Sequence, residues 1–145
     1  MQRVGSARVR VDDRVTGEIG RGLLVYLGVG AGDDEKSADY TADKVAGLRL
    51  FEDDRGRMSL DVATVGGALL VVSQFTLYAD VRSGRRPDFA QAMEPARAQQ
   101  LYEHVVARLR GAGLAVETGE FRAHMRVESV NDGPVTILVD SARLF

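Results

Sequence analysis

Two kinds of apolar pattern alternate along this chain. Val9 and Val11 interleave with Arg8 and Arg10, Asp12-Asp13 then turns the chain, and "RVTGEIG" continues it, so the segment up to Gly20 predicts a β-hairpin. "GLLVYLGVG" is an unbroken apolar run of strand length bounded by glycines, the pattern of a central strand buried on both faces. From Asp33 the period changes. Acidic residues at Asp33, Asp34 and Glu35 suit a helix start, and Ala38, Ala42, Val45 and Ala46 recur at helical spacing up to about Gly47. "LRLF" adds a short strand, and "ALLVVSQFTLY" from Ala68, preceded by Gly66-Gly67, predicts a second buried strand. Pro95 suits a first helical turn, and Leu101, Tyr102, Val105, Val106 and Leu109 form one stripe ending at Gly111. The tail predicts three short strands, "LAVETGEF", "MRVESV" and "PVTILVD". The fold class is therefore α+β, a single domain over residues 1–145 with mixed and antiparallel sheets and two main helices.

Composition narrows the function classes. At 145 residues and 45% hydrophobic content the chain buries roughly two-thirds of its unfolded surface. Without cysteine it has no disulfide framework, thiolate metal cage or cysteine nucleophile. The charged N-terminal stretch and the lack of any run near the roughly 20 apolar residues of a membrane span predict a cytoplasmic protein, neither exported nor embedded. Nineteen basic and twenty-one acidic residues argue against a coat that binds nucleic acid by massed positive charge. One basic cluster stands apart: "VRSGRRPDF" gathers Arg82, Arg85 and Arg86, either as a solvated loop or as an anion site.

Several motifs invite chemistry and most fail on spacing. "GVGAGDD" follows a strand and precedes a helix, but the third glycine of a dinucleotide turn falls at Asp33, so helix capping is the better account. His104 and His124 stand on different elements, which gives a metal site little support. A triad of Ser73, His124 and an aspartate lacks nucleophile-elbow spacing. The polar residues Ser73, Gln74 and Thr76 directly follow "LLVV"; buried there, they either cap the strand end or line a pocket. Asn131-Asp132-Gly133-Pro134 places four turn formers at the start of an alternating strand.

"SQFTL" at Ser73–Leu77 together with "NDGPVT" at Asn131–Thr136 resembles the signature pair of the D-aminoacyl-tRNA deacylases. "QRV", "GEIGRGLLV", "LRLFED", "GRRPDF" and "TGEFRAHM" extend the resemblance in order over essentially the whole chain. It implies barrel-like β/β/α layers and a homodimer that hydrolyses the ester between a D-amino acid and the terminal adenosine of tRNA, and action on glycyl-tRNA is part of the same expectation. It implies neither metal nor organic cofactor. Gly133-Pro134 would be a cis bond whose loop reaches into the partner's site, where its carbonyls bind the α-amino group and exclude an L side chain. Asn131, Gly133, Pro134, Ser73 and Met125 would bind substrate. Backbone N–H groups around Gln74 and Phe75 would form the oxyanion site, assisted by the ribose 2′-hydroxyl. Thr76 would line the pocket, since no base in its motif activates it as a nucleophile. Arg82, Arg85 and Arg86 would meet tRNA phosphates, or Arg86 would anchor its loop.

Two departures from the family pattern carry expectations of their own. The chain starts at "MQRV", which predicts a short or frayed first strand, and Arg122 stands where relatives carry glycine or alanine. Two further readings compete: a non-catalytic RNA- or nucleotide-binding dimer, and a deacylase of relaxed chirality.

Overall fold

The computed structural model describes residues 1–144. The alternating N-terminal segment forms the hairpin: β1 (Gln2–Val11) and β2 (Arg14–Ile19) pair antiparallel, with Val11 opposite Arg14. The apolar run becomes β3 (Gly22–Leu27), and α1 (Glu35–Gly47) follows with Asp34 as its cap, the carboxylate accepting from Ser37 N at 2.9 Å. A two-stranded excursion, β4 (Phe51–Glu52) and β5 (Met58–Leu60), leads to β6 (Ala68–Ser73). A 3-10 turn (Phe75–Tyr78), α2 (Pro95–Gly111), β7 (Ala115–Thr118) and β8 (Arg126–Thr136) complete the chain.

The main sheet is mixed. β3 and β6 run parallel, as do β6 and β7, while β1 pairs antiparallel with β2, β3 and β8. β8 lies along one edge of β1, and β3 and β2 share the other edge end to end. The hairpin curls back over the sheet until Gly17 touches the Thr118 backbone, so the sheet approaches a barrel. That curl gives the central strands two buried faces. Val4, Val9, Leu24, Leu70 and Val72 fill the inside, and Leu23, Val25, Leu69 and Val71 pack outward against Val45, Leu101 and Val105 of the helices. The period-2 division of β3 and β6 explains why both read as continuous apolar runs rather than alternating ones.

Three expectations need correction. "ALLVVSQFTLY" is not one strand: β6 ends at Ser73 and the chain tightens into the 3-10 turn. All three predicted tail strands are wrong in extent: β7 keeps only Ala115–Thr118 of "LAVETGEF", and β8 runs through Asn131–Pro134 and stops at Thr136. The turn formers are absorbed as an irregularity, since the register moves from Val4↔Asn131 to Gln2↔Thr136 and five steps of β8 face two of β1. The first strand is not frayed either. It spans ten residues, and Met1 is held by Ile137, whose N–H donates to the Met1 carbonyl at 2.9 Å.

Gly22 shows how tight the β3–β6 seam is. It faces Ala68, and a methyl group there would run into the Ala68 carbonyl. Gly22→Ala is expected to cost about 3 kcal/mol of stability by urea unfolding. Gly32→Ala, with nothing within 4 Å of the added carbon, serves as the control and should fall within about 0.5 kcal/mol of the parent.

Candidate active site

The parallel register brings Ser73 level with Leu27 at the open end of the sheet. Beyond it the chain must leave the ladder, and the first amides of a 3-10 turn have no acceptor within the turn. Gln74 N–H is already engaged, donating to the Leu27 carbonyl at 2.8 Å, and the first bond of the turn is Leu77 N–H to the Gln74 carbonyl at 3.4 Å. The amides of Phe75 and Thr76 find no backbone acceptor among the described residues. Of the two amides expected as donors, that of Gln74 is thus occupied, and the free neighbours are Phe75 and Thr76. The Gln74 side-chain amide donates to the Thr76 hydroxyl, which ties that hydroxyl to a neutral group rather than to a base.

The turn is fixed from below by Tyr78. Its hydroxyl donates to Asp33 at 3.2 Å, and the same carboxylate accepts from Gly30 N–H at 2.7 Å and from the Ser141 hydroxyl at 3.2 Å. Burial, reinforced by Asp33, pushes the Tyr78 phenol up to about 12, so it stays a neutral donor. Gly30 gives the ring its space: an added β-carbon would lie 2.7 Å from it. The "GVG" glycines are therefore packing glycines, and Asp34 is a helix cap, as the spacing argument held.

Asn131–Pro134 forms a second focus. Gly133-Pro134 is cis, and Gly133 has φ +142°, open only to glycine. Arg3, 8% exposed, donates through Nε to the Asp132 carbonyl at 2.9 Å and through Nη1 to the Leu50 carbonyl at 2.8 Å. Asn131 closes the neck of the loop: its Oδ1 accepts from Val135 N–H at 2.8 Å and its Nδ2 donates to Thr136 at 3.2 Å. Its side chain is occupied within its own loop rather than presented outward. The sequence signals Arg3 only as a basic residue before Val4 in an alternating strand.

Within one chain the two motifs stay apart. Three strand spacings, β8 to β1 to β3 to β6, correspond to roughly 14 Å. No hydrogen bond joins Ser73–Thr76 to Asn131–Pro134 among the described residues. Their last residues do border one groove of about 410 Å³, lined by Leu77, Tyr78 and Thr136 together with Met1 and Gln2. Met125 lies elsewhere, half-buried against the inner core and close to Gly119. Arg122 is exposed at φ +64°, a left-handed position where glycine is the easier choice.

The arginine loop is pinned at its base, where Asp80 and Asp88 exchange backbone bonds at 2.7 and 2.9 Å. Asp80 also grips Arg82, whose Nε donates to it at 2.9 Å. Arg82 is thereby neutralised, while Arg85 and Arg86 are exposed without an ion-pair partner among the described residues. The basic cluster is one of two free charges, not three. Phe89, just past the loop, meets the Phe75 ring edge-on with centroids 5.0 Å apart. His104 pairs with Asp39 at 2.8 Å across the two helices. No helix among the described residues is long and apolar enough to cross a membrane.

The mixed, nearly barrel-shaped sheet with two helices on one face, carrying both motifs, defines a family. The chain belongs to the D-Tyr-tRNA(Tyr) deacylases, whose family model matches residues 1–140. It is 59% identical over 145 residues to the D-aminoacyl-tRNA deacylase of Symbiobacterium thermophilum, covering 100% of this chain and 96% of that one. Among solved structures it is similar to a c-Myc DNA unwinding element binding protein, with TM-score 0.87 and 39% identity over 94% of this chain and 93% of that one. A probable eukaryotic D-amino acid tRNA deacylase shares the fold at TM-score 0.79 and 17% identity, over 91% and 92% of the two chains.

The Asp80–Arg82 pair sets a pH expectation for the loop. The Arg82 guanidinium, with its backbone N–H, pulls the Asp80 carboxyl down from 3.8 to about 2. A lowered carboxylate contributes above its ordinary value and loses that contribution as pH falls through the folded one. By carbon-detected NMR, the Asp80 carboxyl should titrate near pH 2, with loop shifts constant between pH 7 and pH 4. A midpoint close to 3.8 would mean that the pair does not order the loop.

Proposed function

We propose that the protein hydrolyses the ester bond of D-aminoacyl-tRNA, releasing the free D-amino acid and tRNA, and that glycyl-tRNA is a further substrate. The observation that carries the reading is the pair of amides, Phe75 and Thr76, left without acceptors where the "SQFTL" motif leaves the sheet. They are suited to receive the oxyanion that develops when water attacks the ester carbonyl. An aminoacyl ester is already activated, so positioning plus this stabilisation suffices, with the substrate's ribose 2′-hydroxyl assisting the water. The reaction as read asks for no metal or cofactor. Ser73 and Gln74 shape the strand end, and Arg85 and Arg86 meet tRNA phosphates with Arg82 shaping their loop.

Chirality is assigned to the Asn131–Pro134 loop of a second copy. The Gly133 carbonyl would take the α-amino group, since the Asp132 carbonyl is held by Arg3. A filter made of backbone touches only atoms common to all amino acids, so it rejects one hand while accepting many side chains. Support for a dimer comes from the separation of the motifs within one chain, and from Leu77, Val130 and Leu138, all large apolar groups in the open. β8 also leaves its outer edge unpaired among the described residues. Together these favour catalysis over a non-catalytic binding dimer, since a binding module needs no free amide pair.

Dilution tests the shared site: specific activity on D-tyrosyl-tRNA should fall in step with dimer dissociation measured by sedimentation. A fully active monomer would sink the cross-subunit assignment.

Thr76 divides two mechanisms. Thr76→Ala should slow single-turnover hydrolysis by about tenfold or less, about 1.4 kcal/mol in barrier, because among the described residues the hydroxyl bonds only to the Gln74 side chain. A 2′-deoxy terminal ribose should slow it far more. An acyl-enzyme trapped on Thr76, or a deoxy substrate cleaved at the normal rate, would show the mechanism to be otherwise. Hydrolysis of L-tyrosyl-tRNA at the D rate would favour the relaxed-chirality reading instead.

A further inference from the structure

Phe75 and Phe89 belong to neither hydrophobic core, yet they hold each other edge-on at 5.0 Å with Phe75 59% exposed. An aromatic pair in the open forgoes the burial that normally justifies its area. Its surroundings supply a reason. The two-bond clasp between Asp80 and Asp88 holds the arginine loop closed and delivers Phe89 one residue after Asp88. Asp80 pairs with Arg82, whereas Arg85 and Arg86 have no ion-pair partner among the described residues. The patch therefore combines an open aromatic face with two free guanidinium groups on one pinned loop. A purely apolar protein surface would leave those two charges unanswered. Single-stranded nucleic acid answers both features, because every base has a face to stack and every linkage carries a phosphate.

We propose that Phe75 and Phe89 form a stacking site for one of the unpaired nucleotides that precede the terminal adenosine of the RNA 3′ end, with Arg85 and Arg86 on the adjoining phosphates. This rests on the reading of the substrate as an aminoacyl-tRNA. Phe75 joins the two sites, since its amide faces the ester while its ring leads out toward the loop. The arrangement fixes the direction in which the RNA strand leaves the pocket, and it makes binding depend on an unpaired end.

The test compares D-tyrosyl-tRNA with a minimal ester, 3′-O-D-tyrosyl adenosine, which lacks the preceding nucleotides. Stacking is worth about 1–3 kcal/mol per base, so Phe89→Ala should raise KM for the tRNA at least about fivefold more than KM for the minimal ester. Phe89→Tyr, which keeps a ring, should restore most of the difference. Replacing Arg85 and Arg86 together with alanine should flatten the salt dependence of log affinity for uncharged RNA ending in CCA by about 1.4 units for two single-strand contacts. Equal KM changes on both substrates would overturn the proposal, since Phe89 would then only position Phe75. So would no change on either, or a Phe89→Ala variant that loses dimerisation in sedimentation, which would assign the patch to a second copy. If the wild-type protein cleaves neither ester, the deacylase reading falls by itself. The stacking site then stands or falls on whether Phe89→Ala weakens binding of the CCA-ended RNA.

Discussion

Arg3 carries a positive charge into the interior of the sheet, and the placement of the Asn131–Pro134 loop depends on how that charge is satisfied. An unpaired buried cation is costly enough that the surroundings must supply partners. Two carbonyls do so, one from Asp132 and one from Leu50, with the Glu52 carboxylate at 3.9 Å. Those carbonyls belong to parts of the chain remote in sequence, so one guanidinium fixes β1 against both. The geometry of the loop follows from it. To aim the Asp132 carbonyl inward the backbone turns through Gly133 at positive φ, and Val135 then returns to the interior. A β-carbon on Gly133 would sit 3.2 Å from the Arg3 guanidinium and 2.7 Å from Val135, so the glycine is required by packing as well as by φ. Because removing one partner of a buried polar contact costs more than making it gains, Arg3 contributes position more than stability.

The strand end at Ser73 is governed by the same rule of polar satisfaction, with a different result. The ladder uses the Gln74 amide, the turn uses the Leu77 amide, and the two between them are left over. Rigidity comes from beneath, where Tyr78, Gly30 and Ser141 converge on Asp33. Tyr102 adds a second brace, its hydroxyl donating to the Val71 carbonyl at 2.8 Å, two residues before the strand ends. Donors that are free yet held in place are what an oxyanion site requires, because they need no reorganisation when charge develops.

What could be read from the sequence follows from range. Period-2 and period-3.6 patterns report local geometry, so the hairpin, β3, β6 and both helices were visible in Val9/Val11, in "GLLVYL" and in the Leu101–Leu109 stripe. The motifs mark the two places where the ladder is interrupted, the end of β6 and the irregularity in β8. The continuity of β8 was not visible, because four turn formers outweigh a ladder that only the β1 partner supplies, and the end of β6 was hidden because "FTLY" is as apolar as a strand. Nor could the sequence tell which amides were free. Gln74 is engaged by Leu27, Arg82 by Asp80 and Arg3 by Asp132; the first and last of these contacts span 47 and 129 positions, beyond any local pattern. The Arg82–Asp80 pair is local, but a run of basic residues conceals which member is paired.

The two foci differ in what they lack. The strand end has donors for a carbonyl oxygen but nothing to sense which hand the adjacent carbon has. The β8 loop has a rigid backbone relief but no donors for chemistry. Strands β1 and β3 lie between them, and within one chain the motifs meet only where Leu77 and Thr136 border the same groove. The proposed two-fold arrangement would remove the conflict, since each copy would offer its loop outward and receive the other's at its strand end, with both ladders intact. On the proposed reading, chirality is judged by a surface that belongs to a different rigid body from the one that stabilises the oxyanion. Each half can then be built to the tolerance its own task demands, and neither is compromised by the strain of reaching the other.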